Sequence, residues 1–288
     1  MQIQTFVFLD SETTGLPHQE NNETRVTELC LIAVQSDHLV NGVYSRIQNK
    51  LSLCFNPCKA IDPQARKITG LSNQLLKFQP NFDYISYNLI QTFLSVQKKP
   101  VCLVAHNGNQ FDYPILKAEI YKTENELFND LLSVDTIVGF RQLLSNKYKP
   151  VQPAQPQVPI EFQDGFNEIL LEIVERFESS TDAPFDNDQT ITETDCIPAA
   201  KKKLNDSSPM DVPKRRKLFG SPPSFTLSNL YNHLTKKTLI NAHRAESDVL
   251  MLMECAATLG QEFVDWCNSN AQKFSDVPMM MPGRKIGT

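Results

Sequence analysis

The sequence predicts an α/β fold built on a mixed β-sheet, and three observations predict it. An apolar run, Phe6-Val7-Phe8-Leu9, stops abruptly at Asp10-Ser11-Glu12-Thr13-Thr14-Gly15, as a buried strand does where it leaves the core. Two more strand-like runs, residues 27–34 and 50–55, follow with no segment of good helical period between the three, so an antiparallel meander is the economical pairing. Val101-Cys102-Leu103-Val104-Ala105 is then continuously apolar, the mark of a central parallel strand, and runs into a strand-to-helix turn.

Taken in order, the first strand ends in two acids spaced two apart, whose side chains project to the same face. Carboxylates held that close call for a counter-charge, and hard oxygen ligands favour Mg2+ or Mn2+. For an isolated Asp-x-Glu pair, a strand end carrying solvated acids is the ordinary interpretation, so the metal reading depends on acids elsewhere. Asp62-Pro63 starts a helix, and Ile68-Thr69-Gly70-Leu71-Ser72 reads as a turn entering another. Phe82, Ile85, Leu89, Ile90, Phe93 and Leu94 fall at helical spacing, which predicts a helix packed inward along that face. The fourth strand ends in His106-Asn107-Gly108-Asn109-Gln110-Phe111-Asp112, placing another acid where α/β folds bind ligands. Leu131-Leu132-Ser133-Val134 is the fifth strand, and Asp135-Thr136 reads as the cap of the next helix rather than a metal contact.

From about residue 145 to 223 the composition changes. Pro150, Pro153, Pro156 and Pro159 recur with the period of a polyproline II helix, and Lys147-Tyr148-Lys149-Pro150-Val151-Gln152-Pro153 fits the ligand pattern of SH3 domains. Phe162, Phe166, Ile169, Leu170, Ile173, Val174 and Phe177 form a helical stripe that docks on the core or on a partner. Residues 180–223 lack periodicity and are expected to be disordered. Within them, Lys201-Lys202-Lys203 and Lys214-Arg215-Arg216-Lys217 resemble a bipartite nuclear import signal, read by an import receptor; the bland alternative is a solvated charge run. Arg216-Lys217-Leu218-Phe219, near Ser208-Pro209 and Ser221-Pro222, resembles a cyclin-docking sequence beside kinase sites. Helices are expected over 226–234, from 241 to 252 and over 263–274. The chain therefore reads as one domain over 1–275, interrupted at 145–223, with a flexible tail at 276–288.

Bulk properties narrow the classes. The 288 residues carry a formal net charge of −5, so a polyanion would have to be held locally, through metal ions or a few placed cations. The seven scattered cysteines form no C-x-x-C pair, which argues against zinc and for a reducing compartment. Neither a signal peptide nor an apolar run long enough to span a membrane is read, so a soluble intracellular protein is expected.

The later acids complete a set. His243 lies at the mouth of its helix and Asp248 about one turn inside, so the pair can face one cleft from different heights. With Asp10, Glu12 and Asp112 they make four acids on three separated segments plus an imidazole that titrates near neutrality, as two-metal phosphodiester cleavage requires. In that scheme Asp10 bridges two Mg2+ ions about 3.5–4 Å apart, Glu12 and Asp248 complete the first ion's shell, and Asp112 holds a coordinated water. His243 takes a proton from the attacking water.

These motifs resemble the DEDDh branch of the DnaQ-like 3′→5′ exonucleases, and the wider match is to the three-prime repair exonuclease (TREX) family. The stretches that carry the resemblance are Phe8-Leu9-Asp10-Ser11-Glu12-Thr13-Thr14-Gly15-Leu16-Pro17, Val26-Thr27-Glu28-Leu29-Cys30-Leu31, Ile68-Thr69-Gly70-Leu71-Ser72, Leu103-Val104-Ala105-His106-Asn107-Gly108 and residues 243–249. The resemblance implies an RNase H-like fold with a mixed five-stranded sheet, a homodimer joined through the outer strand, and a role in DNA repair. It also implies release of nucleoside 5′-monophosphates from DNA 3′ ends, single-stranded ends preferred. Leu16 and Ile68 would stack on the terminal bases, and Phe111 would pack near the scissile nucleotide. Gln110 departs from the pattern, standing where a vertebrate relative would carry Arg, and the insertion at 145–223 is atypical. Met279-Met280-Met281 is too short for a membrane anchor, and a nuclear or nucleocytoplasmic location is expected. Two other readings compete: an RNA 3′→5′ exonuclease, since the metal chemistry is indifferent to the sugar, and an inactive scaffold holding DNA ends.

Overall fold

A computed structural model describes residues 2–127, 129–145, 225–237 and 243–286. The proline ladder, the stripe from Phe162 to Phe177 and the basic clusters lie outside the described residues. Among the described residues, six strands form one sheet in the order β3-β2-β1-β4-β5-β6. They are β1 (Thr5–Thr13), β2 (Val26–Gln35), β3 (Asn49–Cys54), β4 (Val101–Ala105), β5 (Leu132–Asp135) and β6 (Gln272–Lys273). The meander β1-β2-β3 is antiparallel, whereas β4 pairs parallel with both β1 and β5.

Strand alternation divides the core into two layers. Phe6, Phe8, Cys30, Ile32, Cys102 and Val104 face one side; Val7, Leu9, Leu29, Leu31 and Leu103 face the other. The first layer is covered by α5 (Thr136–Ser145), α6 (Leu227–Thr235), α7 (Ala245–Leu259) and α8 (Gln261–Asn270). There the Phe263 ring lies 5.9 Å from Phe6, 6.4 Å from Phe8 and 6.1 Å from Phe140. Each such pair is worth about 0.5–1.5 kcal/mol beyond the area it buries. The second layer is covered by α3 (Tyr84–Ser95) and α4 (Asp112–Tyr121). Two short helices, α1 (Ser36–Val40) and α2 (Pro63–Thr69), complete the described set.

Four sequence expectations are corrected. The sheet has six strands rather than five, because the expected helix over 263–274 breaks after Asn270: Gln272 and Lys273 pair with β5, and the Phe274 N–H donates to the Leu131 carbonyl at 2.8 Å. A two-residue strand offers no alternation to read. Gly70, at φ +73°, caps α2 in the left-handed region that glycine adopts freely, but no helix follows until Asp83 caps α3. The inward row of α3 is Ser86, Ile90 and Leu94, while Ile85 and Leu89 are exposed. Beyond 276, where the sequence reads as a tail, Val277 and Met280 are buried against the second layer.

Candidate active site

The C-terminal end of β1 is pinned from several directions, which explains its Thr-Thr-Gly. The Thr14 N–H donates to the Arg25 carbonyl at 2.9 Å, and the Thr14 carbonyl accepts from the Asp62 N–H at 2.7 Å, tying the turn to the start of α2. The Thr14 hydroxyl donates to Glu20 at 2.7 Å, and Glu20 pairs with Lys59 at 2.9 Å. Asp10 and Glu12 project from this fixed end on the parity of Phe6 and Phe8, toward the layer that contains α7. Asp248 comes from α7, and carboxylate oxygens of Asp10, Glu12 and Asp248 all lie within 4.8 Å of one another.

Asp112 arrives from the other layer, as the first residue of α4. Ser11, on the opposite parity from Asp10, donates its hydroxyl to Asp112 Oδ1 at 2.7 Å. The turn from β4 into α4 is held by the buried Asp135, which accepts from the backbone N–H groups of Asn107 at 3.1 Å, Asn109 at 3.0 Å and Ile137 at 3.0 Å. Asp135 is therefore a cap, for the turn and for α5 together. Gly108 is required by close approach: a Cβ there would lie 2.6 Å from the Tyr113 ring and 2.8 Å from the Ala105 Cβ.

His243 stands two residues before α7 with φ +66°, an unusual backbone for a residue with a side chain. Its N–H donates to Asp248 Oδ2 at 3.0 Å, so one carboxylate joins the acidic cluster and fixes the backbone that carries the imidazole. A second imidazole nearby is structural. His106 bridges Thr136 Oγ1, at 2.9 Å from Nδ1, and the Phe225 carbonyl, at 2.8 Å from Nε2, and burial lowers its pKa to about 4.

The cluster's electrostatics call for a cation. Burial first, then the charges of Asp112, Asp248, Glu12 and Glu28, hold the Asp10 carboxyl well above the usual carboxylate range. Burial and then Asp248, Glu28 and Asp112 push Glu12 up to about 8. Burial likewise raises Asp112 to about 7 against the lowering effect of the Ser11 hydroxyl. Each charged neighbour that shifts Glu12 is itself a carboxylate, an all-oxygen set that fits a hard divalent cation.

Asp10, Glu12 and Asp248 thus meet at the tip of β1, Asp112 reaches it from the other layer through Ser11, and His243 is tied to it by its backbone N–H on Asp248. Leu16 and Ile68 are half-buried on the two segments that Thr14 and Asp62 tie together, and half-buried Phe111 immediately precedes Asp112. Gln110 lines a cavity of about 280 Å3 with Pro17 and His18, on the Leu16 side. Two residues escaped sequence reasoning: Ser11, which orients Asp112, and Glu28. Glu28 stands directly across from Glu12 on β2 and accepts the Ala245 N–H at 3.1 Å. An acid interrupting the apolar run of β2 was the signal available for it.

Comparison with known proteins bears on the family and the fold. The chain is 40% identical over 155 residues to three-prime repair exonuclease 1 of Bos taurus, covering 49% of this chain and 48% of that protein. It is 28% identical over 291 residues to three-prime repair exonuclease 1 of Homo sapiens, covering 96% of this chain and 71% of that protein. To three prime repair exonuclease 2 of Homo sapiens it is 39% identical over 152 residues, 49% of this chain and 63% of that protein. The matched region thus spans about half of the bovine relative's length. Among solved structures, E. coli exonuclease I in complex with a dA16 oligonucleotide aligns with a TM-score of 0.54 at 18% identity, over 92% of this chain and 43% of that one. Cell-death related nuclease 4 aligns with a TM-score of 0.51 at 12% identity, over 95% of this chain and 68% of that one. Both likenesses speak to the fold. The RNase_T exonuclease family description matches residues 7–153, which contain most of β1 and all of β2, β4 and α4, with Asp10, Glu12 and Asp112. The chain belongs to the RNase_T exonuclease family.

Proposed function

We propose that the chain is a 3′→5′ exodeoxyribonuclease that hydrolyses the terminal phosphodiester of DNA and releases nucleoside 5′-monophosphates. The observation that carries this reading is the meeting of Asp10, Glu12 and Asp248 within 4.8 Å, with Asp112 held to the same strand from the other layer by the 2.7 Å hydrogen bond from Ser11. Asp10, Glu12, Asp112 and Asp248 would hold divalent cations, Mg2+ or Mn2+, which supply a counter-charge for the phosphate and its transition state. The chain's own groups do the rest. Ser11 keeps Asp112 aimed at the tip of β1, and Asp248 holds the backbone of His243. His243 accepts the proton of the attacking water as oxygen bonds to phosphorus and the bond to the 3′-oxygen breaks. The new strand end leaves with a 3′-hydroxyl. Leu16, Ile68 and Phe111 offer apolar surface to the last bases, a contact that reads stacking and not sequence.

The test is degradation of end-labelled single-stranded DNA and matched RNA in Mg2+, by the wild-type chain and by Asp112→Ala and His243→Ala. Loss of a positioned base should slow the reaction by about 10²–10⁴-fold. Equal residual degradation by wild type and both variants would reject the assignment, and RNA degraded in preference to DNA would move it to the other sugar.

A further inference from the structure

We infer that Glu28 is a positioning residue for the proposed reaction: it caps α7 from the neighbouring strand and so sets where His243 stands. The inference rests on the nuclease reading above and adds a role for a side chain outside the metal-ligand set.

The first N–H groups of a helix have no partner inside the helix and need one outside it. α7 begins at Ala245 after Arg244, and Arg244 makes no side-chain cap hydrogen bond. The Glu28 carboxylate takes that place, accepting the Ala245 N–H at 3.1 Å across 217 residues of sequence. A charged acceptor on a backbone N–H makes one of the stronger hydrogen bonds in a protein, and a negative charge at a helix N-terminus gains further from the helix dipole. Asp248 closes the other side of the same turn by accepting the His243 N–H at 3.0 Å. Two carboxylates, one from β2 and one from α7, therefore bracket residues 243–245.

His243 needs that bracket because of its backbone. At φ +66° it occupies a conformation that is unfavourable for a residue with a side chain and persists only where its surroundings impose it. Glu28 is anchored opposite Glu12 in the β1–β2 register, with Leu29 opposite Ser11 and Cys30 opposite Asp10. The strand that presents the acidic pair is thus paired with the strand that fixes the start of α7. The backbone of His243 and the carboxylates are held in one frame through Glu28, although α7 begins more than two hundred residues downstream.

The side chain could instead serve as a further ligand, since its charge acts on both Asp10 and Glu12. Substitution separates the two roles. A cap needs an acceptor oxygen, which glutamine supplies; a ligand needs the negative charge, which glutamine lacks. Glu28→Gln should keep kcat much closer to wild type than Glu28→Ala does. Glu28→Ala should lower kcat on the order of 10- to 100-fold, the effect of an ångström-scale misplacement, with little change in KM or in the Mg2+ concentration at half-maximal rate. In a His243→Ala background, Glu28→Ala should cost nothing further, because its effect runs through that imidazole.

The experiment is this double-mutant cycle on the full chain with single-stranded DNA, plus Mg2+ titrations of each single variant and hydrogen exchange at the Ala245 amide. Additive losses with His243→Ala, or Glu28→Gln falling to the level of Glu28→Ala with a raised Mg2+ requirement, would overturn the inference. Faster exchange at Ala245 in Glu28→Ala but not in Glu28→Gln supports the cap without any turnover. A chain in which the cap is confirmed but no nucleic acid is degraded would sink the nuclease reading alone.

Discussion

Withdrawing divalent cations should make the folded domain less stable as pH rises, the reverse of the usual behaviour of carboxylates. Glu12 is raised from 4.5 to about 8 and Asp112 from 3.8 to about 7, burial being the largest cause for both. Between those values the folded chain keeps protons that the unfolded chain has released. The unfolding free energy then falls with pH by at most about 1.4 kcal/mol per pH unit for each group. This stabilisation is complete below the ordinary carboxylate range and is lost as pH rises through about 7 to 8. From about pH 6 to about pH 8 the loss is roughly 2 kcal/mol for Glu12, with about 1 kcal/mol more for Asp112 as an upper bound, because the two titrate together. For a domain of this size each kcal/mol moves the melting temperature by about 2–4 °C, so calorimetry in EDTA should record a fall on the order of 4–12 °C. Saturating Mg2+ favours the ionised carboxylates, so the gain in melting temperature on adding it should grow with pH. Glu12→Gln should reduce the slope in EDTA without abolishing it, because Asp10 and Asp112 are raised as well. A wild-type melting temperature in EDTA that stays level or rises over this range would refute the claim that these carboxylates face one another without a counter-charge.

Two further outcomes test the scaffold around the site. A Cβ at Gly139 would lie 2.8 Å from the Trp266 ring, which is fixed by a 2.7 Å hydrogen bond from Nε1 to Gln142. Gly139→Ala should therefore destabilise the domain by about 1–3 kcal/mol in urea unfolding, less any gain in helix propensity, while leaving turnover per folded molecule unchanged. A stabilised variant would show that the ring can move. His106, lowered to about 4 from 6.5 by burial, gives stability that is lost as pH falls from about 6.5 toward 4, because the unfolded chain takes the proton first. At about pH 5 the loss is roughly 2 kcal/mol, read as the difference in urea midpoint between wild type and His106→Gln relative to neutral pH. No pH dependence in that difference would mean that the imidazole charges in place.

What could be read from sequence followed the range of each signal. Asp10 and Glu12 were legible because strand periodicity alone puts them on one face, and His243 and Asp248 because helix spacing alone relates them. Asp135 was legible as a cap because that role is local, and its carboxylate does bond the Ile137 N–H two residues on. On α3 helical spacing admits two adjacent faces: Ile90 and Leu94 are inward as expected, whereas Ile85 and Leu89 are exposed. Phe82 belongs to neither face, since it is buried ahead of the helix against Phe55 at 5.0 Å. β6 was illegible because two residues carry no period, and only the free edge of β5 makes them a strand.

Glu28 and Ser11 mark a different boundary. Neither belongs to a local pattern: Ser11 acquires its role from an aspartate 101 residues away, and Glu28 from an amide 217 residues away. Each depends on a different register: sliding β2 by one residue against β1 would turn Glu28 to the other face and leave Ala245 without its acceptor, whereas the Ser11–Asp112 bond depends on the pairing of β1 with β4. The acids proposed as ligands can be listed from the chain, but the side chains that aim them exist as a group only once the sheet has chosen its pairing. In this site Ser11 and Glu28 flank the Asp10–Glu12 pair from opposite faces of the same tip, one fixing α4 and the other fixing α7. The strand end and its antiparallel neighbour therefore orient the groups around the acidic pair, Ser11 by holding Asp112 and Glu28 by holding the start of α7 beside His243, so loss of one contact should displace its own partner and leave the other in place.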